Sequence, residues 1–217
     1  MTISEKKKIE ELLLKIDNKN DFFIIGCGEC ATSCKTGGEA EVLEMKELLE
    51  SKEKKVVGHG VCDTTCDIRI LKKFIRQNKE SFGQSKTLLM LSCGAGSQAI
   101  RQVSDKDLIS GIDTMFLGTI QRLGNFDEYC SECGHCTITD TFGFCTKTRC
   151  AKGLVNGPCG NAIDGNCELG NGQPCVWVEI YDFLKSRGRE KEFFNISIKN
   201  DYSNVNKPRK IENYKKK

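Results

Sequence analysis

The sequence predicts an α/β fold: a doubly wound, mostly parallel small sheet with helices on both faces, then an irregular cysteine-rich metal-cluster domain and a C-terminal helix. Three observations predict it. Short apolar runs alternate with helix-period segments over residues 1–118, the pattern of parallel strands joined by crossover helices. From residue 119 that alternation stops, and cysteine and glycine crowd residues 119–175. Finally, the cysteines of the first half fall just after predicted strands.

The elements follow in order. Ile9, Leu12, Leu13 and Ile16 recur at helical spacing and predict an amphipathic helix over 5–17. Residues 22–26 read as a short apolar strand. Val42, Leu43, Met45, Leu48 and Leu49 give an apolar face to a helix over 37–51. A second strand starts at 55–58, and Ile68, Leu71, Phe74 and Ile75 mark a helix over 67–77. Residues 87–91 are a third strand, 97–103 a helix and 113–117 a fourth strand. The segment 119–190 carries the turn signals Gly157-Pro158 and Asp164-Gly165 and holds too few apolar side chains to fold by packing alone. Metal coordination supplies folding free energy to such a segment. Val176, Trp177, Ile180, Tyr181 and Leu184 predict a closing helix that returns to the first half. Residues 191–217 read as a polar basic tail.

Composition narrows the function. The formal net charge is +3, and residues 199–217 alone hold seven Lys/Arg against two acidic residues, so the folded body is not basic. A nucleic-acid binder carries its positive surface on that body, so no nucleic-acid partner is expected. No apolar run approaches the roughly 18–20 residues that span a bilayer, so no membrane insertion is expected. Lys6, Lys7 and Lys8 lead into a charged helical pattern instead of a signal-peptide apolar segment, which gives the expectation of a cytoplasmic protein. Fourteen cysteines in a reducing compartment point to metal thiolates rather than to a disulfide framework.

In the first group, Cys27, Cys30 and Cys34 follow the first strand, Cys62 and Cys66 the second, and Cys93 the third. Strand carboxyl ends form the ligand-binding edge of open α/β sheets, so these cysteines are expected to converge on one crevice. Cys27, Cys30 and Cys34 offer up to three thiolates, with Cys66 and Cys93 as candidates for the fourth. Cys62 is the least suited and reads first as a small buried hydrophobe. Gly94-x-Gly96-x-x-Ala99, with Asp113 further on, also fits a dinucleotide fingerprint. The same glycines fit a second account, in which backbone N–H groups approach thiolate sulfur at a helix start.

The second group is Cys130-x2-Cys133-x2-Cys136, then Cys145, Cys150, Cys159, Cys167 and Cys175. Eight cysteines suffice for two four-thiolate sites, their pairing left open. The opening triplet resembles the ferredoxin run that holds a cubane. Structural zinc takes paired C-x2-C knuckles or Cys/His mixtures, and stays possible in one site. His135 and His59 are read as non-ligands. Thr137, Thr139 and Thr141 are candidate donors to sulfur, and Arg149 and Lys152 candidate counter-charges.

Three stretches carry a family resemblance. They are Gly26-Cys27-x2-Cys30-x3-Cys34-x2-Gly37-Gly38-Glu39, Ser92-Cys93-Gly94-x-Gly96-x-Gln98, and the run from Cys130 to Trp177. Its most specific part is Cys145-x3-Arg149-Cys150-x-Lys152-Gly153-Leu154-x-Asn156-Gly157-Pro158-Cys159-Gly160, then Gly165-x-Cys167-Glu168 and Cys175-Val176-Trp177. Together they resemble the MetV-type iron–sulfur subunit, with its zinc-finger-like reductase C-terminal domain, that partners the flavin-containing methylenetetrahydrofolate reductase. The resemblance covers roughly residues 22–186 and departs at Thr146, where the family pattern has proline, and at the extra Cys62.

What the resemblance implies is a non-catalytic redox subunit without a folate site. It would hold two or three iron–sulfur clusters of the [4Fe-4S] type and hand electrons to a flavin-bearing barrel in one-carbon metabolism, the Wood–Ljungdahl pathway included. A further electron-donating protein such as ferredoxin is a possible second partner. The residues agree: no activated nucleophile, paired carboxylates or oxyanion hole marks a hydrolase. Two rival readings are a zinc-stabilised adaptor of the same complex and an independent nucleotide-using oxidoreductase.

Overall fold

The computed structural model describes residues 1–170 and 172–212 and divides the chain into two compact units, Met1–Asp127 and Glu128–Lys217. Among the described residues no helix is long and apolar enough to cross a membrane.

Unit 1 is a mixed α/β structure with two sheets. The elements of the parallel sheet are β2 (Phe22–Cys27), β3 (Val56–Cys62), β4 (Thr87–Leu91) and β5 (Asp107–Ser110), in the order β3-β2-β4-β5. All three pairings are parallel. β2 and β4 are buried along their whole length because side chains alternate between two covered faces. Phe22, Ile24, Leu89 and Leu91 pack with Leu12 and Ile16 of α1 (Ile9–Ile16) and with Val42 and Leu49 of α3 (Glu39–Ser51). Phe23, Ile25, Leu88 and Met90 pack on the other face against Leu71 of α4 (Ile68–Gln77) and Phe82 of α5 (Lys79–Gln84). The sheet is thus wound on both sides, as its alternating pattern predicts. Two short helices, α2 (Cys30–Ser33) and α6 (Gly94–Ala99), follow the carboxyl ends of β2 and β4.

The second sheet is one that periodicity does not reveal. It is antiparallel, with β6 (Ile112–Arg122) between β1 (Thr2–Lys6) and β7 (Asn125–Cys130). Residues 113–117, expected as the fourth parallel strand, belong to β6, and the fourth parallel strand is β5. Gly111 separates the two, its N–H donating to Met90 O at 2.8 Å and its carbonyl accepting from Lys7 N–H at 3.0 Å. The first helix starts at Ile9 rather than at residue 5, because residues 2–6 pair with β6. The hairpin also carries regular structure to residue 130, beyond the change of composition at 119.

Unit 2 is mostly turns. Its helices are α7 (Thr146–Arg149), α8 (Val176–Lys185) and α9 (Glu190–Phe193). Val176, Trp177, Ile180 and Leu184 of α8 form a small core with Phe142, Phe144, Phe193 and Ile196. The apolar face of the closing helix is therefore covered within its own unit, where the sequence suggests a return to the first half.

The tail is more ordered than its polarity implies. Ile198 is buried, and its backbone bonds the Asn156 side chain in both directions, at 3.1 and 2.6 Å. Arg209 Nη1 donates to the carbonyl oxygens of Glu132, at 2.6 Å, and Asn204, at 3.1 Å. The basic end at residues 213–217 lies outside the described residues.

Candidate metal centre

Parallel pairing sets the first site. Cys27 and Cys62 stand opposite each other at the ends of β2 and β3, and Leu91 of β4 stands opposite Gly26. Cys93 follows Leu91 by two residues and caps the start of α6. Beyond Cys27 the Thr32 hydroxyl donates to Cys27 O at 2.7 Å, folding the chain back into the turn that carries Cys30. The thiol of Cys66 is pushed up, first by packing around its sulfur and then by the charges of Cys93, Cys27 and Cys30. Cys27, Cys30 and Cys93 are thereby each within electrostatic reach of Cys66 at the sheet's carboxyl edge.

Two cysteines of this group lie elsewhere. Cys34 is buried and its Sγ donates to Thr2 O of β1 at 3.8 Å. Cys62 packs with Phe23, Ile25 and Leu71, and burial first, then the charge of neighbouring Cys27, pushes its thiol up to about 11. A neutral thiol at that position is a core side chain.

The glycine motif after β4 has a packing role. A Cβ on Gly96 would sit 2.2 Å from Thr65 Oγ1 and 2.9 Å from Ser92 Oγ, so glycine is required for α6 to close on the loop that bears Cys66. Asp113, the acidic partner of the fingerprint, is ion-paired with Lys7 on the antiparallel sheet. These contacts account for the fingerprint residues without a nucleotide.

In unit 2 the triplet loop turns at Glu132 and Gly134, both with positive φ. Glu132 N–H donates to Cys130 Sγ at 3.4 Å, and Lys147 Nζ lies 3.8 Å from Cys133 Sγ while donating to His135 O at 2.8 Å. Cys145 caps α7, with its Sγ 3.6 Å from Thr148 Oγ1. Thr141, a candidate sulfur donor, instead donates to the carbonyl oxygens of Thr137, at 3.1 Å, and Phe144. His59 is an exposed strand residue opposite Ile24.

The later cysteines come together more clearly. Cys150, Cys159, Cys167 and Cys175 line one cavity of about 20 Å³, with Lys152 and Trp177 in its wall. Backbone bonds from Cys167 N to Gln173 O and from Cys175 N to Gly165 O, both 2.8 Å, hold two of them. Lys152 is paired with Glu168, whose two oxygens also accept from Asn161 at 3.0 Å. Its ammonium pKa is raised by Glu168 first and, against some desolvation, by the nearby Cys159. Arg149 pairs with Glu179 at 2.5 Å and lies over the rings of Tyr129 and Phe144. Cationic groups therefore stand where thiolate charge would develop.

Four cysteines lining one space offer a donor set for soft metals. Among the described residues no three His, Cys, Asp or Glu side chains are arranged to grip a single ion. A second observation bears on fit. Among the described residues four buried side-chain polar atoms lack a partner, and three of them lie near cysteines in the chain: Thr65 Oγ1 beside Cys66, Thr146 Oγ1 beside Cys145, and Trp177 Nε1 two residues after Cys175. Buried donors without acceptors call for a group that would accept from them, and thiolate-bound metal clusters present such acceptors. Sequence reasoning passed over these three. Their only signal was adjacency to a cysteine.

Comparison with known proteins adds one finding. Residues 109–203 match the family model described as Methylene-tetrahydrofolate reductase C terminal. The match to this reductase C-terminal family covers less than half of the 217 residues and includes all eight cysteines of unit 2. It relates the second half of the chain to methylenetetrahydrofolate reductase. No curated protein and no solved structure matches the chain.

Proposed function

We propose that this chain is an iron–sulfur electron-transfer subunit of a methylenetetrahydrofolate reductase, handing electrons to a flavin-containing partner. The observation that carries the reading is the four-cysteine cavity of Cys150, Cys159, Cys167 and Cys175 inside the segment that matches the reductase C-terminal family. Cys130, Cys133, Cys136 and Cys145 supply the thiolates for a second site in unit 2. Cys27, Cys30, Cys66 and Cys93 supply a third at the sheet edge, with Cys34 left out by its bond to Thr2.

Bound clusters would supply one-electron redox chemistry. This chain's own residues do the rest. Lys147, Lys152 and Arg149 offset thiolate charge, which favours electron uptake. Val176 and Trp177 give the late cavity apolar wall beside the charged Arg149, Lys152 and Glu168.

The same four cysteines also suit a second reading for this one site, zinc held by four thiolates. One experiment separates the two. The full chain is isolated without oxygen from an iron-replete host, iron, zinc and acid-labile sulfide are assayed, and EPR spectra are recorded after reduction. Iron and sulfide with cluster signals support the electron-transfer subunit. Zinc in every site, without sulfide, leaves only the adaptor. Co-purification of a flavin-containing chain tests the partner.

A further inference from the structure

We infer that the indole N–H of Trp177 is a built-in hydrogen-bond donor to a sulfur of the cluster held by Cys150, Cys159, Cys167 and Cys175, raising that cluster's reduction potential. The inference rests on the reading of this cavity as a cluster site, and it assigns a specific task to a side chain that is not a ligand.

Three observations converge on Trp177. The residue is 1% exposed, which shuts its N–H off from bulk solvent. Among the described residues its Nε1 has no acceptor, although buried indole N–H groups ordinarily find one. It also forms part of the wall of the cavity into which the four cysteines converge. Leaving a buried donor unsatisfied forfeits its hydration with nothing in return, a strong reason for it to meet an acceptor in the working protein. Acceptors at this wall are the Glu168 carboxylate, already taken up by Lys152 and Asn161, and the cysteine sulfurs with any sulfide bound between them.

The fold holds the ring in place. Trp177 lies in the first turn of α8, two residues after the ligand candidate Cys175, so donor and ligand share one rigid segment. Phe193 contacts the ring edge-on, with centroids 6.0 Å apart and planes at 85°. Val176, Ile180 and Leu184 complete the packing. A ring fixed in this way does not need to reorganise when an electron arrives.

The sign follows from charge. Reduction adds one negative charge to the cluster, and a donor aimed at its sulfur stabilises the reduced form more than the oxidised form. Removing the donor moves the potential in the negative direction. Trp177 is then a positioning and tuning residue rather than a catalytic one.

Because the chain has one tryptophan, the test needs no mutation to be site-specific. The full chain is labelled with tryptophan carrying ¹⁵N at the indole nitrogen only, loaded with iron and sulfide, reduced and examined by pulsed EPR for ¹⁵N coupling to a cluster spin. In parallel, Trp177→Phe, which keeps a ring and loses the N–H, is titrated potentiometrically. The expected results are a ¹⁵N coupling in one cluster signal and about a tenfold lower reduced-to-oxidised ratio for that signal at fixed poise, about 59 mV for one electron. Iron and sulfide present, with no ¹⁵N coupling in any signal, overturns the inference and leaves the cluster reading intact. Absence of iron and sulfide in the unmutated chain overturns the cluster reading itself. If Trp177→Phe fails to fold or to load, the labelled unmutated chain decides.

Discussion

The backbone N–H of Asp201 donates to Nδ1 of His135 at 3.2 Å. The bond joins the segment that follows the last helix to the middle of the Cys130–Cys136 loop. It also assigns the imidazole: Nδ1 acts as acceptor here and is not free to bind metal, so His135 orients a loop. Arg209 reaches the carbonyl of Glu132 from the same segment. A Cβ on Gly134 would stand 2.6 Å from that of Asn204, so the crossing requires glycine in the loop beneath.

Replacing Arg209 with alanine is expected to loosen the loop beneath it. Loss of its bonds to the backbone makes local opening easier by about 1 kcal/mol, or roughly fivefold faster amide exchange over residues 130–136. Hydrogen-exchange mass spectrometry measures this directly. Unchanged protection would show that the strap does not restrain the triplet.

Cys62 and Cys93 are expected to part company under substitution. Cys62→Ser places a hydroxyl among the apolar side chains of Phe23, Ile25 and Leu71 and lowers the unfolding free energy by about 1–3 kcal/mol. Metal content should not change. Cys93→Ser is expected to act the opposite way, lowering the metal content of the sheet-edge site. Denaturant unfolding and metal analysis on the same two preparations check both halves.

Gly96→Ala is expected to destabilise the loop around Cys66 by about 1–3 kcal/mol, because the new methyl meets Thr65 Oγ1 at 2.2 Å. Gly83→Ala in α5 is the matched control. Nothing lies within 4 Å of a Cβ there, so the substitution is neutral or stabilising by up to about 1 kcal/mol. Equal urea midpoints for the two variants would refute the packing role given to Gly96.

Acid is expected to weaken unit 1 through Asp21, at the entry to β2. Lys86 beside it, and then Lys55, hold its carboxyl below the ordinary value of 3.8. A depressed carboxylate contributes stability that is present above the unfolded-state pKa and lost as pH falls through the lower folded value. Asp21→Asn, which tolerates the local φ of +51°, is therefore expected to flatten the fall in melting temperature below about pH 4. An unchanged acid limb would show that the exposed ion pairs contribute nothing measurable.

The sequence by itself determined the parallel sheet and the placing of cysteines at its carboxyl edge. Both follow from local rules: strands buried on two faces read as unbroken apolar runs, as at Phe22–Ile25 and Leu88–Leu91, and parallel strands share one end. Tertiary structure alone decided the antiparallel sheet, since residues 2–6 form a strand only when β6 arrives from over a hundred residues away. It also gave Cys34 a contact with Thr2 and Cys62 a place against Phe23, Ile25 and Leu71, grouped the last four cysteines around one space, and left the Trp177 N–H without an acceptor among the described residues. Spacing along a chain fixes which sulfurs can be close, while direction and burial, which depend on every packed neighbour, fix which of them meet.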